Sequence, residues 1–254
     1  MDGRPAASAT SGARPWERDL HGLLLAAGLC NNARLVPPGT ENPHWTILGD
    51  PTEAALRVAA QKGGIDLEAE ARRTPRLREL PFDSRRKRMS TIHTDGNGQW
   101  VYVKGAPKEV LALCTHLRQD GQELSLDASM RSRVMSANDE YARNGLRVLV
   151  VATRVLPGPS GSGSTPRPYS PEAIESDLTF LGLMAMMDPP RPEVAEAVQK
   201  CHSAGIRIIM ITGDYGLTAE SIAPGGHLCP GLGCLVLRYI LFRMCYNCFT
   251  FLVR

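Results

Sequence analysis

A hydroxyl, backbone amides and a carboxylate meet at Thr212-Gly213-Asp214, directly after the apolar run Ile206-Arg-Ile-Ile-Met-Ile211. A buried strand that ends in such a group offers fixed donors to phosphate oxygens and an acid to a metal ion. Three more segments carry chemistry: Asp188-Pro-Pro-Arg191, Phe82-Asp-Ser-Arg-Arg-Lys-Arg-Met-Ser90 and Lys104-Gly-Ala-Pro107. An aromatic face such as Phe82 can stack a base without sequence-specific hydrogen bonds. A guanidinium such as that of Arg147 can meet phosphate charge through its fixed fork of donors.

Taken singly, each of these residues has a plain structural explanation. Phe82 can be core, Arg85 to Arg88 a solvated basic turn, Lys104 a surface lysine at a strand end, Arg147 a strand flank and Asp188 a helix cap. In combination and in this order, the segments resemble the cytoplasmic ATP-handling domains of P-type cation-transporting ATPases, and within them the calcium-pump branch.

The resemblance implies that the Phe at Phe82 stacks on adenine, the Lys at Lys87 lines the pocket, and the Lys at Lys104 of the Lys-Gly-Ala-Pro motif, followed by Gly105, lies deep beside the nucleotide. It places Glu53, in Gly49-Asp-Pro-Thr-Glu-Ala-Ala-Leu56, near the adenine amino group, and Arg147, in Gly145-Leu-Arg-Val-Leu149, near the phosphates. Asp188 then contacts ribose or orders a hinge. Thr212, Gly213 and Asp214 correspond to the second motif of haloacid-dehalogenase-type phosphotransferases, where fixed donors hold the transferred phosphoryl group. ATP, with Mg²⁺, is the implied cofactor, and the remaining pump domains or a full-length pump are the implied partners.

The elements that must position these residues follow from pattern. Leu20, Leu23, Leu24, Ala27 and Cys30 share one helical face from Trp16 onward, with the Asn31-Asn32 pair at its end. Trp45 to Leu48 reads as a short strand, and Asp50 or Thr52 as the cap of a helix packing Ala54, Ala55, Val58 and Ala59 up to Gly63-Gly64. Met89–His93 and Gln99–Lys104 flank a glycine-rich turn and predict a hairpin that delivers Lys104. Helices over 106–113 and 127–143 and a Val-rich strand over 146–154 come next. Beyond 157–171, a flexible Pro-Gly-Ser insertion, the order strand 178–186, helix 192–204, strand 206–211 and helix 217–223 predicts a parallel sheet with phosphate chemistry at its carboxyl ends.

The fold expected is therefore α/β. An α+β nucleotide-binding domain with an antiparallel sheet and flanking helices (16–177) is joined to a partial haloacid-dehalogenase-like parallel-sheet domain (178–223), after a disordered start (1–15). After Ala223 the family pattern stops. Residues 224–254 hold four of the seven cysteines and no acid, the composition of a tail read in a shifted frame.

Composition narrows the function classes. With 254 residues, 43% hydrophobic and 22% charged, the chain is globular material. Arg238, Arg243 and Arg254 lie beyond the last acid, Glu220, and the rest of the basic residues balance the 26 acids, so no nucleic-acid partner is expected. The cysteine spacing and the lack of an apolar signal segment argue for a reducing compartment without a disulfide partner. Full-length relatives of this kind sit in a membrane. This chain is expected to be cytoplasmic-facing and soluble, since Arg238 and Arg243 interrupt its most apolar stretch.

The sequence contains no Asp-Lys-Thr-Gly-Thr, the segment whose carboxylate takes the phosphoryl group in such pumps, and no Asp-Gly-Val-Asn-Asp. The expectation is an ATP-binding portion that does not turn over. The alternatives are a non-catalytic regulatory or interaction module, discriminated by loss of ATP binding with retained association to a pump, and a zinc-binding tail using Cys229, Cys234, Cys245 and Cys248, discriminated by a metal assay.

Overall fold

The computed structural model describes residues 14–40, 42–96, 98–156, 169–187, 192–206, 209–211, 215–221, 235–237 and 250–251. In chain order the elements are α1 (Pro15–Leu29), β1 (Arg34–Val36), β2 (Thr46–Leu48), α2 (Pro51–Lys62), α3 (Leu67–Arg73), β3 (Arg76–Asp83), β4 (Arg88–Thr94), β5 (Gln99–Gly105), α4 (Pro107–Leu111), β6 (Cys114–Gln119), β7 (Gln122–Ser125), α5 (Ala128–Arg143), β8 (Arg147–Leu156), α6 (Pro171–Ile174), β9 (Leu178–Met187), α7 (Pro192–Ser203), β10 (Ile209–Ile211), α8 (Gly216–Glu220), β11 (Leu235–Leu237) and β12 (Thr250–Phe251). They fall into two compact units, one of residues 1–131 and 149–184, the other of 132–148 and 185–254.

The first unit is a mixed α/β layer structure, as the sequence predicts. Its main sheet runs β3-β4-β5-β8-β9-β6-β7. The pairs β3/β4, β4/β5, β5/β8 and β6/β7 are antiparallel, and β6/β9 is parallel. Strand β5 is buried on both faces, with Val101 and Val103 on one and Trp100 and Tyr102 on the other, so packed layers cover it on both sides. β-branched residues suit this pleated, enclosed setting, and Val150, Val151 and Ala152 of β8 continue the same core.

Helices α1, α2 and α3 form a tight cluster. Asp50 caps α2 by accepting from the Glu53 amide, and the expected apolar face of Ala54, Ala55 and Ala59 is buried, joined by Leu56 and Ala60. Small residues let the helices approach closely. A Cβ on Gly28 of α1 would come within 2.5 Å of a Leu67 methyl and 3.2 Å of the Ala60 Cβ. Strands β1 and β3, helices α3 and α6 and the β6–β7 hairpin are additions to the elements expected. The helix expected over 106–113 is only Pro107–Leu111, because Cys114 already belongs to β6.

His93 stands on β4 beneath this cluster, 2% exposed. The Thr74 carbonyl, 3.0 Å away, can only accept, so it fixes Nδ1 as the donor, and Nε2 accepts from the Thr91 hydroxyl at 3.0 Å. Burial pushes the imidazole down to about 4; the Thr74 bond opposes this and the Arg76 charge adds to it. The unfolded chain therefore binds a proton near pH 6.5 that the folded chain refuses until about pH 4. Stability should be full above pH 6.5 and fall as pH drops toward 4, by about 3 kcal/mol, a melting-temperature loss on the order of 10 °C. Thermal melts across pH 4–7 measure this, and His93→Asn should flatten that segment of the profile.

Helix α5 begins after Asp127, whose carboxylate accepts from the Met130 amide at 2.7 Å, and it ends, in the second unit, at the expected Asn144-Gly145 stop. The Thr218 hydroxyl donates to the Leu146 carbonyl (3.0 Å), and Tyr215 donates to Asp139 (2.9 Å). Strands β10 and β11 are parallel, and β12 pairs antiparallel with the end of β9, Thr250 opposite Met187. Among the described residues no helix is long and apolar enough to cross a membrane.

Candidate functional site

Strand register brings four of the expected site residues to one end of the main sheet. Asp83 of β3 pairs with Arg88 of β4, which pairs with Gly105 of β5. Phe82 is next to the first of these, Lys87 next to the second and Lys104 next to the third. The two outer strands lie about 10 Å apart, two inter-strand spacings, which is within the span of a nucleoside.

A bulge between Leu80 and Asp83 breaks the β3/β4 register where Phe82 sits. The ring is 57% exposed, so it is not core. Lys87 takes the left-handed conformation, φ 51°, and its amide donates to the Asp83 carbonyl at 2.6 Å. The Asp83 carboxylate accepts from the Arg86 and Arg85 amides, both at 2.9 Å, and these bonds hold it below the usual carboxylate range. The Lys87 ammonium reaches Glu109 of α4 at 3.1 Å.

Gly105 answers a steric requirement. A Cβ there would lie 2.5 Å from the Lys87 carbonyl oxygen and 2.6 Å from the Arg88 Cβ. The Ala106 amide donates to that same carbonyl at 2.9 Å, tying the turn after β5 to the turn before β4.

Lys104 is not the surface strand-end lysine that its position in the sequence allows. It is 6% exposed, and its ammonium donates to Glu53 Oε1 at 2.7 Å. Glu53 stands in the first turn of α2, and its other oxygen accepts from the Asn32 amide at 2.9 Å. Asn31 donates to the Glu53 carbonyl at 2.6 Å. Arg76 then braces the end of α1: its guanidinium donates to the carbonyls of Leu29 (3.0 Å) and Asn31 (2.5 Å), to the Asn32 side chain (2.6 Å) and to Glu79 (2.9 Å). Each member of such a network holds its neighbour in place.

The sequence marks Asn31-Asn32 as a helix end and carries no local signal for Arg76, Glu79 or Glu109. Apart from the Arg76–Glu79 pair itself, the partners of Arg76 and Glu79 lie 44 to 47 positions away, and Glu109 stands in a five-residue helix with no period of its own. Arg147 opens β8, exposed, in the second unit. Asp188 and Thr212, Gly213 and Asp214 lie outside the described residues, as do residues 157–168 of the insertion.

Cys30, Cys114 and Cys201 are free thiols. Burial raises the first two, Cys114 to about 12, so they pack as small hydrophobes and not as nucleophiles. Among the described residues no group of three His, Cys, Asp or Glu side chains is placed to hold a metal. What the arrangement offers is an exposed aromatic face, an ammonium in a nearly water-free setting beside a carboxylate, and a second ammonium on a constrained turn. That combination can hold a stacked, anionic ligand.

Comparison with known proteins gives a family match over residues 19–193, to the model described as P-type ATPase, cytoplasmic domain N. The chain is 40% identical over 207 residues to the cation-transporting ATPase pma1 of Synechocystis sp., covering 80% of this chain and 21% of that protein. It is 36% identical over 217 residues to a calcium-transporting ATPase of Bacillus subtilis (85% and 23%). To the sodium/potassium-transporting ATPase subunit alpha-2 of Gallus gallus it is 39% identical over 214 residues (80% and 21%). The chain thus spans about a fifth of the length of the curated relatives it matches.

Proposed function

Since the chain belongs to the P-type ATPase family and carries that family's cytoplasmic N domain, we propose that it binds ATP at the β3–β5 end of the main sheet. Phe82 stacks on the adenine, Glu53 meets the amino group, Lys87 lines the pocket and Lys104 lies beside the nucleotide, with Gly105 allowing the strand to close on Lys87. Arg147 serves the phosphates, and Asp188 the ribose or hinge. The observation that carries the proposal is the Lys104–Glu53 pair, 2.7 Å apart and nearly buried, at the same sheet end as a large exposed ring. A charged pair in so dry a place contributes little to stability compared with a well-packed apolar one, and is better accounted for by a ligand that uses it.

In the same proposal, residues 16–177 are the nucleotide-binding domain and 178–223 a slice of the phosphorylation domain, in which Thr212, Gly213 and Asp214 are the phosphate-handling group, with the nucleophile absent. Residues 224–254 lie outside the family pattern. Mg²⁺ arrives with the nucleotide phosphates, whose charge it neutralises. The calcium branch is favoured by Arg86-Lys-Arg-Met-Ser90 and Asp188-Pro-Pro-Arg191. Because relatives of similar identity carry calcium and sodium/potassium names, that assignment rests on those motifs and not on overall likeness.

These 254 residues contain no Asp-Lys-Thr-Gly-Thr, so the polypeptide by itself forms no acyl phosphate. Titration with ATP, followed by calorimetry, should give a Kd in the high micromolar to millimolar class, and incubation with γ-labelled ATP should leave no acid-stable label on the protein. Absence of saturable binding would overturn the site, and stable labelling would overturn the second half.

A further inference from the structure

On the face of the sheet opposite Lys104, one carboxylate is enclosed completely. The Glu175 side chain is 0% exposed. It follows α6 and accepts four bonds: from Arg86 Nη1 to both oxygens (2.6 and 2.8 Å), from Arg88 Nε (2.7 Å) and from the Ser90 hydroxyl (2.8 Å). Buried acids persist only with such partners. Two guanidiniums share one negative charge here, and without it they would repel each other.

The cluster leads to the proposed nucleotide site by named bonds. Arg86 spends its second nitrogen, Nη2, on the carbonyl of Pro81 at 2.8 Å, the residue immediately before Phe82. Arg88 Nη1 donates to the Arg86 carbonyl at 3.1 Å, closing the turn on itself. Arg86 therefore reaches across the bulge that presents the Phe82 ring, and bulges are devices that re-aim a side chain. The same turn holds Lys87 in a left-handed conformation that a residue with a Cβ does not choose unaided.

We infer that Glu175 is a positioning residue for nucleotide binding: through Arg86 and Arg88 it sets the bulge and turn that aim Phe82 and Lys87, without touching the ligand. This rests on the nucleotide site proposed above. Glu175 comes from a segment 85 to 89 positions further along the chain than its partners, so it ties the adenine-facing turn to the α6–β9 corner.

The test combines Glu175→Gln, which keeps shape and removes charge, with Phe82→Leu in a double-mutant cycle read by ATP affinity, alongside thermal melts and hydrogen exchange at the Lys87 and Ala106 amides. Glu175→Gln should weaken ATP about tenfold in the wild-type background and add little in the Phe82→Leu background, because both changes act through the same ring. The two amides should exchange faster while the β5 and β8 amides stay protected. If Glu175→Gln does not fold, Arg86→Lys keeps a cation beside the carboxylate and loses the fork to Pro81, with the same pattern expected. Wild-type affinity in these variants, or a loss that adds in full to that of Phe82→Leu, overturns the inference and leaves the nucleotide site standing. A wild-type chain that binds no ATP overturns both.

Discussion

Phe82→Ala is expected to abolish measurable ATP binding and leave the circular dichroism spectrum and melting temperature unchanged. The ring is 57% exposed on a bulge, so its removal opens no cavity in the core. A base stacked on an aromatic face loses about 1–3 kcal/mol when that face is cut back to a methyl group. For a ligand that starts in the high micromolar to millimolar class, a loss at the upper end of this range moves half-saturation out of the reach of direct titration, whereas the tenfold change expected of Glu175→Gln stays within it. Calorimetric titration of the variant against the wild-type chain decides the matter, and retained affinity would move the adenine elsewhere.

Gly105→Ala should damage both stability and binding. Its added methyl would lie 2.5 Å from the Lys87 carbonyl oxygen, 2.6 Å from the Arg88 Cβ and 2.8 Å from the Arg88 Cα. None of these is the free end of a flexible side chain, so β4 and β5 must separate at their Arg88–Gly105 pair. The Ala106–Lys87 bond then stretches, and Lys104, one residue back, leaves Glu53. Overpacking of this kind costs about 1–3 kcal/mol, and the strained turn adds to it. A lower melting temperature with ATP affinity reduced at least as far as in Glu175→Gln is the expected outcome. A variant that melts and binds like wild type would show that the two strands tolerate a wider spacing.

How much of this was legible depends on the reach of each interaction. The cap at Asp50, the stop at Gly63, the hairpin around Gly96 and the long helix ending at Arg143 were readable because their causes lie within a few residues of their effects. The α/β class and a hairpin strand ending at Lys104 followed from the same local signals; Phe82 came in through family order, and its strand, β3, is separated from that of Lys104 by β4. Helix α3 and strand β1 were too short to show a period. The β6–β7 hairpin has polar, exposed positions through much of its length and passed for a loop.

Burial of charge was the least legible property. Lys104 and Glu175 look like surface residues in any window of sequence, since acids and lysines are seldom enclosed. Only the fold brings Glu53 to one and Arg86, Arg88 and Ser90 to the other. Trp45, Ile47 and Leu48 show the converse: an apolar strand pattern, correctly placed, whose side chains stay exposed.

The strand order carries a consequence for synthesis. β8 and β9 fill the middle of the main sheet, yet they are the last of its seven principal strands to leave the ribosome. Until residues near 184 emerge, β3-β4-β5 and β6-β7 exist as separate ribbons, each with an inner edge of unpaired amides and carbonyls. Such edges recruit foreign strands, and pairings this distant along a chain close slowly. The nascent polypeptide therefore passes through an aggregation-sensitive interval that ends only when its two central strands insert, and a translational pause placed before that point would lengthen it.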